Sequence, residues 1–193
     1  MEIELRLAKL EDAQEILDIY IPYINNSNIT FEYDAPSLND FENRMKTIMK
    51  KYPYIVAVCE EKIVGYAYAH AHMERAAYQW NVETSIYVKV DMKHQGIGTL
   101  LYRKLLDILK LQNVQNVYGC VTLPNENSEK MHYAFGFQLV GRFSNTGYKS
   151  GEWHDVGWFE LHIGNKEETK ILEEVLPIYE IEEQVNKILN IDN

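Results

Sequence analysis

A carboxylate, a hydroxyl and a phenol alternate with apolar side chains along the segment V-E-T-S-I-Y-V in the middle of the chain. Because side chains of a strand alternate between its two faces, Glu83, Ser85 and Tyr87 share one face of this segment. The strand leads straight into a glycine-containing turn, and ligands of open sheets bind beyond the carboxyl ends of strands. We therefore predict a functional site rather than a solvated face, with Glu83 as the group able to exchange a proton.

The turn after this strand reads K-H-Q-G-I-G-T over residues 93–99 and opens an amphipathic helix. Glycines let the backbone approach a ligand, and the amides of a first helical turn suit a phosphate or pyrophosphate. A G-x-G pair alone is also found in ordinary tight turns. No Lys-Ser/Thr pair and no third glycine in register follow, so neither a nucleotide P-loop nor a dinucleotide fingerprint is present. The residues predicted to bind a ligand here are His94, Gln95, Gly96, Ile97, Gly98 and Thr99.

A second polar cluster lies in the segment L-P-N-E-N-S-E-K-M-H-Y-A-F-G-F, after the next predicted strand. Asn125 ends that strand, and Ser128 and His132 follow at helical spacing, so the three side chains can face one cleft. Gly136 is typical of a helix C-cap. A single histidine on a helix is usually an unremarkable surface or core residue, but its alignment with Asn125 and Ser128 favours a role in the site.

The loop before the Glu83 strand contains Arg75, whose guanidinium suits a bidentate grip on a carboxylate or phosphinate. An ordinary surface arginine fits the sequence about equally well. Phe31, Tyr78 and Trp153 are aromatic residues that can either line a compact pocket or belong to the core. Adjacent histidine and aspartate residues after Trp153 face opposite ways in a strand, so we expect no metal site.

Positioning these residues requires helices and a central sheet. The spacing of apolar residues predicts a helix from Leu10 onward, and Ser37 with Asp40 predicts the start of a second helix. The predicted strands are Y-I-V-A-V-C-E, K-I-V-G-Y-A-Y-A-H-A-H, W-N-V-E-T-S-I-Y-V-K-V, V-Y-G-C-V-T-L and a closing pair, F-Q-L-V-G-R-F and W-H-D-V-G-W-F-E-L-H-I, joined by the turn-rich N-T-G-Y-K-S-G-E. This order predicts an α/β or α+β domain over residues 1–164 with one central sheet.

Residues 165–193 form an acidic stretch with regularly spaced apolar residues. The pattern of Ile171, Leu176, Ile181 and Val185 predicts a helical extension that is broken at Pro177.

The composition excludes several classes of function. A net charge of −10 argues against nucleic acid as a partner, since phosphate binding needs clustered lysine and arginine. No apolar run reaches membrane-spanning length and the N-terminus lacks the pattern of a signal peptide, so we expect a cytoplasmic protein without a membrane contact. Cys59 and Cys120 lie in apolar runs without ligand-like spacing, and we expect two buried, reduced thiols.

At the glycine turn and the Asn125 segment the chain resembles the GNAT superfamily of N-acetyltransferases. The acetyl-CoA signature of that family, Arg/Gln-x-x-Gly-x-Gly/Ala, reads K-H-Q-G-I-G here, with Lys93 in place of arginine or glutamine. The family's later pattern is met by Asn125, Ser128 and His132 together with the Gly-Phe pair that follows. The resemblance implies acetyl-CoA as co-substrate and a mixed, mostly antiparallel central sheet flanked by helices.

Within that superfamily, the segments A-Y-Q-W-N-V-E-T-S-I-Y-V and G-Y-K-S-G-E-W-H-D-V-G-W-F-E-L resemble the phosphinothricin and methionine sulfoximine/sulfone N-acetyltransferase branch. The likeness covers about residues 1–163. It implies that Glu83 and His132 are the catalytic pair, and that Arg75 and Tyr78 help to hold the acidic groups of an amino-acid-like substrate. It also implies a homodimer.

The chemistry of acetyl transfer assigns a role to each group. A base must remove a proton from the acceptor ammonium, and Glu83 does so directly or through water. His132 serves as a second base or as the acid for the departing thiol, with Tyr133 as a weaker alternative. Backbone amides among Ile86, Tyr87 and Val88 would stabilise the acetyl oxygen. Neither cysteine belongs to a Cys-His arrangement, so we expect direct attack without a covalent acyl-enzyme.

Two other functions fit the same motifs. An acetyltransferase for a protein N-terminus or a polyamine would need an open groove or an acidic pocket in place of Arg75. A non-catalytic acetyl-CoA-binding module would need only the glycine turn and Asn125, so the presence of both Glu83 and His132 argues against it.

Overall fold

A computed structural model describes residues 2–164 and 172–190 of the 193-residue chain. Seven strands form one sheet in the order β1-β2-β3-β4-β5-β7-β6, in which only the β4–β5 pair is parallel. The strands are β1 (Glu4–Leu7), β2 (Tyr54–Cys59), β3 (Lys62–Ala71), β4 (Asn81–Val88), β5 (Asn116–Leu123), β6 (Gln138–Lys149) and β7 (Glu152–His162). The predicted mixed, mostly antiparallel central sheet is confirmed.

Helices cover both faces of this sheet. They are α1 (Ala13–Asn26), α2 (Leu38–Met49), α3 (Ile97–Leu111), α4 (Glu126–Ala134) and α5 (Glu182–Asn190). The predicted N-cap of α2 is confirmed, because Ser37 Oγ accepts a hydrogen bond from the Asp40 amide at 3.2 Å. Tyr66 of β3 belongs to the apolar cluster with α1 and α2, whereas its neighbour Ala67 belongs to the cluster with α3 and α5. We call the α1–α2 side the front face and the α3–α5 side the back face.

The strands β4 and β5 separate soon after they meet. Their parallel pairing spans only three residue pairs and ends at Glu83 opposite Tyr118. Both strands continue beyond this point, β4 along β3 and β5 along β7. The result is a V-shaped gap in the middle of the sheet, with Glu83 at its apex.

The closing hairpin differs from the prediction. The segment predicted as a turn, N-T-G-Y-K-S-G-E, belongs largely to the strands, because β6 continues to Lys149 and β7 begins at Glu152. The reversal needs only Ser150 and Gly151, which adopt φ values of 55° and 84°. Polar residues are compatible with this strand because β6 is at the edge of the sheet and most of its side chains are exposed.

The C-terminal segment is helical over a shorter range than predicted. Residues 172–177 are not helical, and the α-helix begins at Glu182; residues 165–171 and 191–193, which include Ile171, lie outside the described residues. Gln112, fully buried at the end of α3, holds the irregular segment: its Nε2 donates to Leu176 O at 2.6 Å and its carbonyl accepts from the Leu176 amide at 3.1 Å. These bonds give the backbone there an alternative to a helical turn.

Candidate active site

The V-shaped gap between β4 and β5 forms a small cavity whose lining residues come from both faces of the sheet. It is lined by Ile29, Thr84, Ser85, Ile86, Tyr87, Tyr102, Gly119, Cys120, Val121, Thr122, Asn125, Ser128 and His132. Glu83 lies one residue before this lining, at the apex of the gap. The structure therefore brings β4, β5 and α4 together around one space, as the polar residues of the sequence predicted.

The N–H groups of two backbone amides of β4 point into this gap. The β3–β4 ladder has no register shift. At one end His72 N donates to Asn81 O (3.2 Å), and at the other Lys89 N donates to Val64 O (2.8 Å). Because bonded pairs alternate in an antiparallel ladder, the amides of Ile86 and Val88 point away from β3, toward the side from which β5 has departed.

The same alternation excludes the amide of Tyr87 from the predicted role, since it points into the β3 ladder. The Tyr87 ring packs on the front face against Tyr20 and Tyr23, with ring centroids 4.9 and 5.1 Å apart. Tyr23 also donates a hydrogen bond to Val88 O at 2.5 Å, which leaves the Val88 amide free while fixing its strand end.

A second groove continues from the gap to the start of α3. It is lined by Tyr23, Ile29, Ile86, Val88, Met92, Lys93, His94, Gly96, Ile97, Gly98, Thr99, Asn125, Asn127, Ser128 and Met131. Its cavity volume is about 350 Å³. Pockets for ligands of cofactor size have this order of volume. Gln95, predicted to bind here, is exposed and does not line the groove.

The glycine turn leaves free amides at the end of this groove. The first backbone hydrogen bond of α3 runs from Leu100 N to Gly96 O, so the amides of Ile97, Gly98 and Thr99 have no acceptor within the helix. Gly96 adopts φ 81°, a left-handed conformation that glycine tolerates best. Free amides at the start of a helix can hold a phosphate or pyrophosphate.

Asn125, Ser128 and His132 lie together on α4 and line the same gap. Asn125 Oδ1 accepts a hydrogen bond from the Ser128 amide at 3.2 Å and so caps the helix. The side-chain NH2 of Asn125 remains available to a ligand in the groove.

His132 is buried on the back face with its protonation fixed by its neighbours. Its Nδ1 lies 2.7 Å from Ser128 O, and because a carbonyl can only accept, Nδ1 carries the proton of the neutral ring. Burial lowers the pKa of His132, and the hydrogen bond to Ser128 opposes this shift. The other nitrogen, Nε2, lies against Gly119 of β5, where a Cβ would come within 2.4 Å of it. A neutral ring with Nδ1–H has a lone pair on Nε2, so this arrangement favours the first of the two predicted roles, a second base, over that of an acid.

Glu83 lies on the front face in a polar and aromatic environment. Its Oε2 is 3.8 Å from Nδ1 of His72, and Tyr118 is its partner on β5. Cys120, also on the front face of β5, is near enough for the charge of Glu83 to act on it. Desolvation by the walls of the gap, and secondarily that charge, raise the pKa of this thiol to about 12, although part of the side chain is open to solvent. The expectation that both cysteines are buried is wrong for Cys120, whose side chain is exposed to the gap.

The four predicted substrate residues lie outside the two cavities. Arg75 and Tyr78 belong to the exposed β3–β4 loop, close to the beginning of β4. Phe31 packs against the β6–β7 hairpin, with its ring 6.2 Å from that of His154. Trp153 is 60% exposed and contacts Tyr148 on the same hairpin. The loop after α1 instead contributes Ile29 to both cavities, a residue that no motif distinguished.

The V-shaped gap in the seven-stranded sheet and the free amides of α3 thus form one site, suited to a ligand with a phosphate at one end and a reacting group at the other. Residues 5–158 match the family model described as acetyltransferase (GNAT) domain. The chain belongs to this GNAT family, as its resemblance predicted.

Three proteins illustrate the similarity. A phosphinothricin N-acetyltransferase of Streptomyces viridochromogenes is 33% identical over 82% of this chain and 86% of its own length. An L-methionine sulfoximine/L-methionine sulfone acetyltransferase of Pseudomonas aeruginosa is 25% identical over 84% of this chain and 96% of its own. A crystal structure of a phosphinothricin acetyltransferase from Sinorhizobium meliloti in complex with acetyl-CoA covers 91% of this chain and 96% of that one, with 33% identity and a TM-score of 0.86.

The protein is therefore an acetyl-CoA-dependent N-acetyltransferase. The groove fits this co-substrate, because it joins free amides for phosphates at α3 to free amides of β4 along one path. Among residues 2–164 and 172–190, no group of three or more His, Cys, Asp or Glu side chains is placed to hold a metal ion. None of the described helices is long and apolar enough to cross a membrane.

Proposed function

We propose that the protein acetylates the α-amino group of a small amino-acid-like acceptor, of the phosphinothricin or methionine sulfoximine/sulfone type, by direct attack in a ternary complex. One observation carries this proposal: the carboxylate of Glu83 lies at the apex of the gap into which the amides of Ile86 and Val88 open. The names of the similar proteins support the class of acceptor.

Glu83 acts as the base. An amino acid is mostly an ammonium ion at neutral pH, and each pKa unit of deprotonation costs about 1.4 kcal/mol. An acceptor that enters from the front face brings its ammonium to Glu83, which takes one proton and leaves the nitrogen lone pair free to attack.

Acetyl-CoA supplies the activated acetyl thioester. The amides of Ile86 and Val88 stabilise the negative charge that develops on an acetyl oxygen in the gap. His132 is neutral, its Nδ1–H is bonded to Ser128 O, and its Nε2 can accept a hydrogen bond at the back of the gap. After attack the nitrogen loses a second proton, which the departing thiolate takes up, so no preset acid is required. Cys120 is unsuited to covalent catalysis because its raised pKa keeps it a thiol.

Arg75 provides the grip on an acidic group of the acceptor. It is exposed in the β3–β4 loop, just before the strand that carries Glu83, and no ion pair engages it within the described residues. Tyr78, exposed in the same loop, assists as a hydrogen-bond donor; Phe31 and Trp153 contribute only through the hairpin and the loop that pack beside the gap.

We also propose a cytoplasmic homodimer. Its support is the edge strand β6, where Val140 and Phe143 are each 53% exposed. Exposed edge strands with apolar side chains are ready sites for association. Two free thiols fit a reducing compartment. Residues 1–164 would carry the transferase and residues 165–193 would form an extension that supports its core.

A thiol-release assay across acceptors tests the function. Purified protein with acetyl-CoA should release thiol with phosphinothricin, methionine sulfoximine or methionine sulfone, and little with spermidine or a peptide. Faster release with a polyamine or a peptide N-terminus would overturn the acceptor class, and no release with any amine would overturn the transferase assignment.

A further inference from the structure

His72 is a partly buried residue of the front face that no motif marks. It follows β3 directly and leaves only 12% of its side chain exposed. Its ring stacks on Tyr118, with centroids 4.3 Å apart and planes inclined by 17°, and meets the edge of Trp158 at 5.4 Å. Two aromatic contacts on β5 and β7 therefore fix the orientation of the imidazole.

The fixed ring presents one nitrogen to the proposed base. Nδ1 of His72 is 3.8 Å from Oε2 of Glu83, which is within ion-pair reach but longer than a hydrogen bond. This Nδ1 is sealed from solvent and has no hydrogen-bond partner among the described residues. Leaving a buried polar atom unpaired is costly, and a small rotation of Glu83 would satisfy it.

The other polar groups around His72 are already engaged or cannot replace it. Tyr118 donates its hydroxyl to Glu160 at 2.7 Å. Cys120, on the next front-face position of β5, is a thiol of raised pKa. His70, the cross-strand partner of Glu83, has its Nδ1 3.0 Å from Ala71 O. Glu83 is thus the one acceptor in this group toward which Nδ1 is directed.

We propose that His72 is a positioning residue for Glu83, donating a hydrogen bond from Nδ1 to Oε2 as the acceptor enters. This bond orients the other carboxylate oxygen toward the acceptor ammonium and holds the carboxylate in place during proton transfer. The proposal rests on the proposed role of Glu83 as the base. It adds a specific partner to that role, with no direct contact between His72 and the substrate.

Two substitutions separate the hydrogen bond from the packing. His72→Phe keeps a flat ring on Tyr118 but removes Nδ1. His72→Asn loses the ring but places an amide NH2 close to the position of Nδ1. Loss of one hydrogen bond to a charged group corresponds to about a 10-fold or larger effect. We therefore expect His72→Phe to lower kcat about 10-fold with an unchanged KM for acetyl-CoA, and His72→Asn to recover most of that loss.

A double-mutant cycle with Glu83→Gln provides the decisive test. The cycle uses whichever amine the thiol-release assay identifies, and slow variants are followed by mass spectrometry of the acetylated product. If His72 acts through the carboxylate, His72→Phe has little further effect on kcat in the Glu83→Gln background. An equal loss in both backgrounds, or a His72→Asn variant no better than His72→Phe, would overturn the proposal. The proposed function fails separately, if wild-type protein acetylates no amino-acid-like acceptor.

Discussion

Burial of His132 decides which of its protonation states the site uses. The ring is 5% exposed, and it lies between Tyr102, Phe137 and Phe159 with no carboxylate among its hydrogen-bond partners. Desolvation therefore lowers its pKa, and the neutral form predominates at neutral pH. A group that must stay neutral in the folded state also makes stability depend on pH.

We expect the free energy of unfolding to fall as the pH drops below about 6.5, the ordinary histidine value. The unfolded chain binds the proton at a higher pH than the folded chain, so the contribution of His132 is present above that value and is lost below it. Chemical denaturation between pH 7.5 and 5.5, a span of about two units around the reference pKa, measures this slope.

His132→Asn should flatten the slope, and His94→Asn provides the matched control. His94 is exposed and has φ 62°, a conformation that asparagine tolerates. A slope that persists unchanged in His132→Asn would show that another group is responsible.

Arg75→Met should raise the KM of acidic acceptors by about 10-fold or more, because a charge-assisted contact is removed. The KM for acetyl-CoA should not change, since Arg75 lies outside the groove. Arg103→Met, which removes an exposed arginine of α3, is the control in steady-state kinetics. Equal effects of the two variants would refute a specific role for Arg75.

At the scale of single residues, the sequence predicted those site residues whose positions follow from the local geometry of one strand or one helix. Glu83 and Ser85 follow from strand alternation, and Asn125, Ser128 and His132 from helical spacing, so the structure places both sets around one gap. His72 and Cys120 were not predicted as site residues, because their positions depend on how three strands lie side by side. Their only signal was a place on the front face of β3 or β5.

At the scale of elements, the turn before α3 couples backbone conformation to ligand binding. Gly96 and Gly151 have nearly the same φ, 81° and 84°, and a Cβ on either would meet no atom within 4 Å. Replacement of either by alanine therefore imposes only the strain of a left-handed backbone, about 1–2 kcal/mol.

We expect Gly96→Ala to weaken acetyl-CoA binding by about 10-fold, the equivalent of 1.4 kcal/mol, as measured by calorimetric titration. Gly151→Ala, at the tip of the β6–β7 hairpin, should destabilise the fold similarly and leave acetyl-CoA affinity unchanged. Equal affinities of the two variants would contradict the role assigned to the amides of α3.

The loop after α1 and the β6–β7 hairpin form a joined unit that explains why two aromatic residues lie outside the two cavities. The Lys149 ammonium donates to Ile24 O at 2.8 Å and to Thr30 O at 2.7 Å. Phe31 lies over Gly147, where a Cβ would come within 2.2 Å of its ring. Composition marked Phe31 and Trp153 as candidates for a pocket, but contacts between distant segments decided what they face.

At the scale of the whole molecule, the C-terminal segment completes the back face of the core. Val175, Ile178, Ile181, Val185 and Leu189 are all at most 7% exposed and belong to the cluster around α3. Apolar periodicity predicted a helix here, but it could not show that the segment before it is held by Gln112.

Leu189→Ala should lower the free energy of unfolding by about 2–5 kcal/mol, the usual cost of a large-to-small change in a core. Leu189 is 1% exposed, and the exposed Asn186 on the same helix supplies the control Asn186→Ala. Urea denaturation compares the two variants. A Leu189→Ala protein as stable as the control would show that α5 is not part of the core.

Glu83→Gln tests the central claim of the account most directly, because it removes the base and keeps the shape of the side chain. We predict a fall in turnover of about 100-fold or more, with calorimetric acetyl-CoA affinity unchanged and no comparable loss in Glu160→Gln, which alters a neighbouring front-face carboxylate. Near-wild-type turnover in Glu83→Gln, or loss of acetyl-CoA binding as the cause of its inactivity, would contradict the assignment.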